Sequence, residues 1–214
     1  MIIPYHIAIE GTIGVGKTSL AKVLGELLDT KLILEEFEEN PFLVEFYNDP
    51  VRYAFQTQLF FLLSRYRQQQ QLQQTELFTK TLISDYMFIK DRIFAALNLS
   101  DKEMSLYNSV ALILEKSVSS PDMVIFLQSD TDRLMHNIKI RAREYEKMID
   151  WKYIDALNQM YNEFFFRYNS SPLLIINTND IDFVNNKNDL EEIIQFIRTP
   201  SEGTRYFNPM KSIS

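Results

Sequence analysis

Five short apolar runs, Tyr5–Ile9, Lys31–Leu34, Thr81–Ser84, Met123–Leu127 and Leu173–Ile176, recur along the chain. Runs of this length and β-branched character fit strands buried on both faces of a parallel sheet. Between them apolar positions return every three or four residues, which predicts helices over Ser19–Leu28, Asp101–Ser117, Asp130–Arg143, Trp151–Tyr168 and Leu190–Arg198. The longest periodic stretch runs from Val51 to about Leu77 and contains Gln68–Gln74. Glutamine forms helix readily, so this run reads as an exposed helical face rather than as low complexity. Strands alternating with helices predict an α/β fold with a five-stranded parallel sheet flanked by helices. A single domain is expected over residues 1–200, with a loose tail over 201–214.

A length of 214 residues with 46% hydrophobic content is enough for one full core. The net charge of −7 argues against sequence-independent nucleic-acid binding, which needs a basic surface. The absence of cysteine removes disulfide and thiolate chemistry and is compatible with a reducing compartment. No apolar run is long enough to span a membrane, and a strand begins almost at the first residue, leaving no room for a signal peptide. The expectation is a soluble cytoplasmic protein.

The densest chemistry lies between the first strand and the first helix. Gly11, Thr12, Ile13, Gly14, Val15, Gly16, Lys17 and Thr18 complete a GxxxxGK[ST] phosphate-binding loop, and three of the chain's five glycines fall within it. Glycines let the backbone wrap closely around an anion, and the N–H groups at a helix start then point at it. Lys17 is expected at the β- and γ-phosphates of a nucleoside triphosphate, and the Thr18 hydroxyl at Mg²⁺. Asn186-Lys187-Asn188-Asp189 matches the NKxD pattern of nucleotide switches. A switch also needs a DxxG segment, however, and there is no glycine between Gly25 and Gly203. The stretch is therefore read as a polar turn and helix cap. A second cluster, Glu35-Glu36-Phe37-Glu38-Glu39, follows the second strand, where a parallel sheet binds ligands at its carboxyl edge. A carboxylate placed there can accept the proton of an attacking hydroxyl. On one helix Gln58, Leu62 and Arg65 share a face, and the amide of Gln58 suits a nucleobase edge.

These motifs, with Ser84-Asp85-Tyr86 through Asp91-Arg92-Ile93-Phe94-Ala95 and Arg141-Ala142-Arg143, resemble the deoxynucleoside kinase family over nearly the whole chain. That family includes deoxycytidine, deoxyguanosine and bacterial deoxyadenosine kinases. The resemblance implies ATP on the loop from Gly11 to Ser19, Glu36 as the substrate carboxylate and base, and Asp85 with Thr18 at Mg²⁺. It further implies Tyr47 and Glu146 on the sugar 3′-hydroxyl, and Gln58, Arg65 and Asp91 on the base. Arg141 and Arg143 would form a short arginine-rich lid that closes over the donor phosphates. The Arg65 and Asp91 pair resembles that of members using deoxyadenosine, deoxyguanosine and deoxycytidine, with deoxyadenosine favoured. Three departures stand out: Phe37 replaces a proline, Tyr86 an arginine and Asn137 another arginine. With Tyr86 in that place another cation, Lys90 or Arg92, is needed at the 5′-oxygen. The resemblance also implies a homodimer, compatible with apolar faces near Ala54–Leu63 and Leu106–Leu114. A thymidylate kinase-like enzyme is the alternative, but its acceptor phosphate needs a cationic pocket, whereas the residues here are the acidic Glu35, Glu36 and Asp85.

Overall fold

The structure is a computed structural model that describes residues 4–75, 81–184, 186–199 and 202–208, with side chains left aside over 71–75. Six strands form one parallel sheet: β1 (His6–Gly11), β2 (Lys31–Ile33), β3 (Leu82–Ser84), β4 (Met123–Gln128), β5 (Leu173–Asn177) and β6 (Thr204–Phe207). Their spatial order is β2-β3-β1-β4-β5-β6, so the direction of winding reverses at β1. A crevice opens at the carboxyl ends of the strands beside such a switch point.

The expected five strands are all present, and the sixth corrects the reading of the tail. Residues 204–207 pair with Leu173–Ile176 along the edge of the sheet. Phe207 is buried against Phe196, which anchors a short strand whose other residues are largely exposed. The remainder of the expected tail, 209–214, lies outside the described residues.

Eight helices are described: α1 (Lys17–Leu28), α2 (Leu43–Asn48), α3 (Pro50–Thr75), α4 (Asp91–Asn98), α5 (Asp101–Glu115), α6 (Thr131–Arg141), α7 (Trp151–Phe166) and α8 (Lys187–Arg198). α2 and α4 were hidden in the sequence because each is short and carries few periodic positions. α1 buries Leu20, Ala21, Leu24 and Gly25 on one stripe, and a Cβ at Gly25 would stand 2.4 Å from Leu32, so the helix lies tightly on β2. α5 starts with a capping box between Ser100 and Glu103. Asn186 caps α8 by accepting the Asn188 N–H at 3.0 Å, as the polar-turn reading of this stretch expects.

One core layer joins alternate residues of β1, β4 and β5 to α1, α6 and α8; the opposite faces of these strands pack on α4 and α7. A third cluster, around Leu62, Tyr107 and Ala111, fastens α3 to α5. The glutamine run is not a wholly exposed face, since Gln68 and Gln69 are buried and Gln68 Nε2 donates to the Leu34 carbonyl. Its later residues, and the expected end of the helix at Leu77, lie outside the described side chains. No described helix is long and apolar enough to cross a membrane.

Candidate active site

The phosphate loop leaves β1 at the switch point and turns into α1. Gly11 and Gly14 have φ of +148° and +89°, and a Cβ would stand 2.5 Å from the Leu127 carbonyl at the first and 2.7 Å from the Leu134 carbonyl at the second. Both the backbone angle and the close approach to β4 and α6 therefore require glycine. Lys17 folds across the loop and donates to the Gly11 carbonyl at 2.7 Å and the Thr12 carbonyl at 3.2 Å. Burial and then the nearby Lys90 lower its ammonium to a pKa of about 8. The loop from Gly14 to Ser19 lines an open cleft of about 440 Å³ that continues along α6 to the loop after β5. Gly11 and Thr12 form the base of the loop, where Thr12 Oγ1 donates to Asn158 at 2.8 Å, and Ile13 faces a second cavity. Asn137 donates to the Gly14 carbonyl at 2.8 Å, so the residue standing where the resemblance expects arginine braces the loop. The far wall, with Ile181 and Phe183, comes from a segment more than 160 residues away in sequence and carries no motif that would have revealed it.

The second cavity, about 110 Å³, lies on the β2 and β3 side of the loop. Here one expectation is corrected: Glu35, not Glu36, reaches the cavity. The Glu35 N–H donates to Asp85 Oδ1 at 2.7 Å, which extends the β2–β3 pairing by one step and sets the direction of its side chain. Glu36 follows on the other side of the chain, begins a 3-10 turn and is exposed. The chain leaves the extended conformation at Glu36, whose φ of −89° and ψ of 55° lead into the 3-10 turn and carry its side chain away from the cavity that Glu35 lines.

Glu35 is clamped at both oxygens, by Arg65 on Oε1 and by Lys90 on Oε2 at 2.6 Å. Burial alone would raise its pKa, but the two cations outweigh that and hold the carboxyl well below the usual range. Arg65 also pairs with Asp91, as expected, yet both sit behind the cavity wall rather than in it. Gln58 does line the wall; it is 2% exposed and its Oε1 has no partner among the described residues. Tyr47 lines the cavity and stacks on Tyr145. Glu146 is buried there and receives Arg141 at 2.9 and 2.6 Å and Arg143 at 3.5 Å. Arg143 also stands 4.2 Å over the Phe37 ring, so Phe37 shapes the rim. Asp85 Oδ2 accepts from the Thr18 hydroxyl, bringing those two oxygen groups together at the end of β3. Glu10, fully buried at the end of β1, accepts the Met87 N–H at 2.6 Å and so fixes the segment after β3. Its burial pushes its pKa up, against the pull of Lys90 and Lys17.

Lys17, Thr18, Arg141 and Arg143 line both cavities. An open cleft along the phosphate loop and a smaller cavity that meet at such residues fit a phosphotransferase with a phosphate loop. The family model for deoxynucleoside kinase matches residues 7–200, and the chain belongs to the deoxynucleoside kinase family. It is similar to a deoxyadenosine kinase of Dictyostelium discoideum, 34% identical over 95% of this chain and 82% of the relative. A deoxyguanosine kinase of Bacillus subtilis is 32% identical over 90% of this chain and 95% of its own length. Among solved structures, a deoxyadenosine kinase from M. mycoides with bound dATP superposes with a TM-score of 0.80, at 26% identity, covering 91% of this chain and all of that one.

Proposed function

We propose that this protein transfers the γ-phosphoryl group of ATP to the 5′-hydroxyl of a deoxynucleoside, with deoxyadenosine as the favoured acceptor and deoxyguanosine or deoxycytidine as further ones. The observation that carries this reading is the meeting of the two cavities at Lys17, Thr18, Arg141 and Arg143 beside the Glu35 carboxylate. The loop N–H groups and Lys17 hold the donor phosphates. Glu35, an anion at neutral pH, accepts the proton of the acceptor hydroxyl. Arg141 and Arg143 neutralise charge that develops on the phosphoryl oxygens and exclude water by covering the junction. Tyr47 and Glu146 hold the sugar, and the unpartnered Gln58 amide reads the base edge.

Arg65 and Asp91 act from behind the wall, by fixing Glu35 and the start of α4. The adenine preference is supported by the paired donor and acceptor of an amide, which match an adenine edge, and by similarity to two deoxyadenosine kinases. A monophosphate acceptor fits less well. Lys90 is paired with Glu35, Arg141 and Arg143 with Glu146, and Asp85 adds a further carboxylate to the wall, so the acceptor side is not the predominantly cationic pocket that a phosphate needs. The donor set fits Mg²⁺: Thr18 Oγ1 and the Asp85 carboxylate are hard oxygens beside the phosphate loop, which suits an ion held largely by substrate phosphates. When bound there, Mg²⁺ would neutralise phosphate charge. The same reading makes the enzyme a cytoplasmic homodimer; exposed Leu106, Leu112 and Ile113 on α5 are candidate contact residues.

The test is phosphate transfer from labelled ATP with Mg²⁺ to deoxyadenosine, deoxyguanosine, deoxycytidine, thymidine and thymidine monophosphate, run beside Glu35→Gln. Turnover of a non-thymidine nucleoside that is largely lost in the variant supports the reading. Activity on thymidine monophosphate alone overturns it.

A further inference from the structure

Lys90 ends the 3-10 turn before α4, and it is buried, 3% exposed, rather than extended into water. Lysine usually keeps its ammonium in solvent, so a buried one is held by specific partners. Its Nζ donates to Glu35 Oε2, the oxygen that Arg65 leaves open, and the residue lines the acceptor cavity. The neighbouring cations are engaged elsewhere. Arg65 sits behind the wall between Glu35 and Asp91, and Arg92 turns away to Glu115 at 2.7 Å. Arg141 and Arg143 gather on Glu146. Tyr86 is fully buried, and its uncharged ring lies with its centre 5.9 Å from both the Lys90 ammonium and the Arg65 guanidinium, which meet on the Glu35 carboxylate.

We infer that Lys90 is the acceptor-side positioning residue of phosphoryl transfer, aiming Glu35 at the acceptor hydroxyl and supplying the positive charge that Tyr86 cannot. The inference rests on the reading of the site as a deoxynucleoside 5′-kinase. An ammonium carries three N–H donors, and the hydrogen bond to Glu35 occupies one of them. In the transfer the 5′-oxygen forms a bond to the γ-phosphorus. The bond from that phosphorus to the β–γ bridging oxygen breaks, and its electron pair leaves with ADP. The hydroxyl proton passes to Glu35. Negative charge thus gathers on the phosphoryl oxygens in a cavity whose wall already holds Glu35 and Asp85. A cation fixed there in advance stabilises the transition state more than it tightens the ground-state complex. A purely structural ion pair would instead change stability and leave turnover alone.

The experiment compares Lys90→Gln and Lys90→Arg with wild type, using ATP with Mg²⁺ and deoxyadenosine, or whichever nucleoside the wild type phosphorylates. Folding is followed by circular dichroism and nucleoside binding by calorimetry. The expected result for Lys90→Gln is a kcat lower by about 10²- to 10³-fold. Its nucleoside Kd should stay within about threefold of wild type, and Lys90→Arg should recover most of the turnover. A folded Lys90→Gln that turns over within about threefold of wild type overturns the inference. So does a folded Lys90→Arg as slow as Lys90→Gln. If Lys90→Gln does not fold, Lys90→Met keeps the packing of the stem and is read by the same criteria. A wild-type protein that phosphorylates no nucleoside overturns the kinase reading itself, which is a separate result.

Discussion

The donor cleft and the acceptor cavity share a wall but are built from different materials. The phosphate-facing wall of the donor cleft is one contiguous run, Gly14 to Ser19, whose glycine at 14 leaves room for close approach; α6 and the segment after β5 complete the cleft. The acceptor cavity draws its lining from many separate places: the phosphate loop and α1, the segment after β2, α2, α3, the turn after β3, α4, the end of α6 with the segment that follows it, and α7. On the proposed reading, the difference teaches that grip on phosphate depends chiefly on chain path, while the choice and activation of the acceptor depend on residue identity.

The sharpest way to break that contrast is at the two adjacent glutamates. Glu35→Gln is expected to lower kcat by about 10³-fold, while the exposed Glu36→Gln stays near wild type, both read in a coupled ADP assay. Gly14→Ala tests the other side. The added Cβ meets the Leu134 carbonyl at a positive φ, so about 2 kcal/mol or more of stability should go, together with ATP binding; thermal melts with and without ATP check both. Gln58→Leu should raise the nucleoside Kd by about 10- to 100-fold and leave ATP affinity unchanged, as measured by calorimetry on each ligand.

A pH series separates the sides without mutation. The Lys17 pKa is lowered to about 8, so the free enzyme loses that cation as pH rises through 8, while bound phosphates would retain it. ATP affinity should therefore fall about fivefold between pH 8 and 9, with nucleoside affinity nearly flat. The smallest expected effect is for Asn186→Ala: about 1 kcal/mol of stability lost with its cap, and kinetics unaltered, because the NKxD-like stretch serves α8 and no nucleotide base.

What could be read in advance follows the same division. The loop, five strands and the long helices were legible because their signals are local, either a spaced motif or an apolar period. β6 was not, since only Phe207 of its four residues is buried and the strand is held by pairing with distant β5. The choice between Glu35 and Glu36 turned on where the chain leaves β2 and bends into the 3-10 turn, which composition cannot fix and the Asp85 contact at Glu35 does. Lys90 was one of two candidate cations, separated only when the fold turned Arg92 toward Glu115. Ile181 and Phe183 were silent because they meet the loop only through the topology of the sheet.

Arg141 stands on the border of both cavities and is held in the structure by two hydrogen bonds to Glu146, the carboxylate read as a sugar ligand. The guanidinium proposed to serve the donor is therefore tethered to the group proposed to hold the acceptor. On the proposed reading, an arriving nucleoside would compete for Glu146 and free Arg141 to swing onto the phosphates. The consequence is thrift: an enzyme loaded with ATP alone should idle, splitting little of it to water, until the molecule to be phosphorylated is in place.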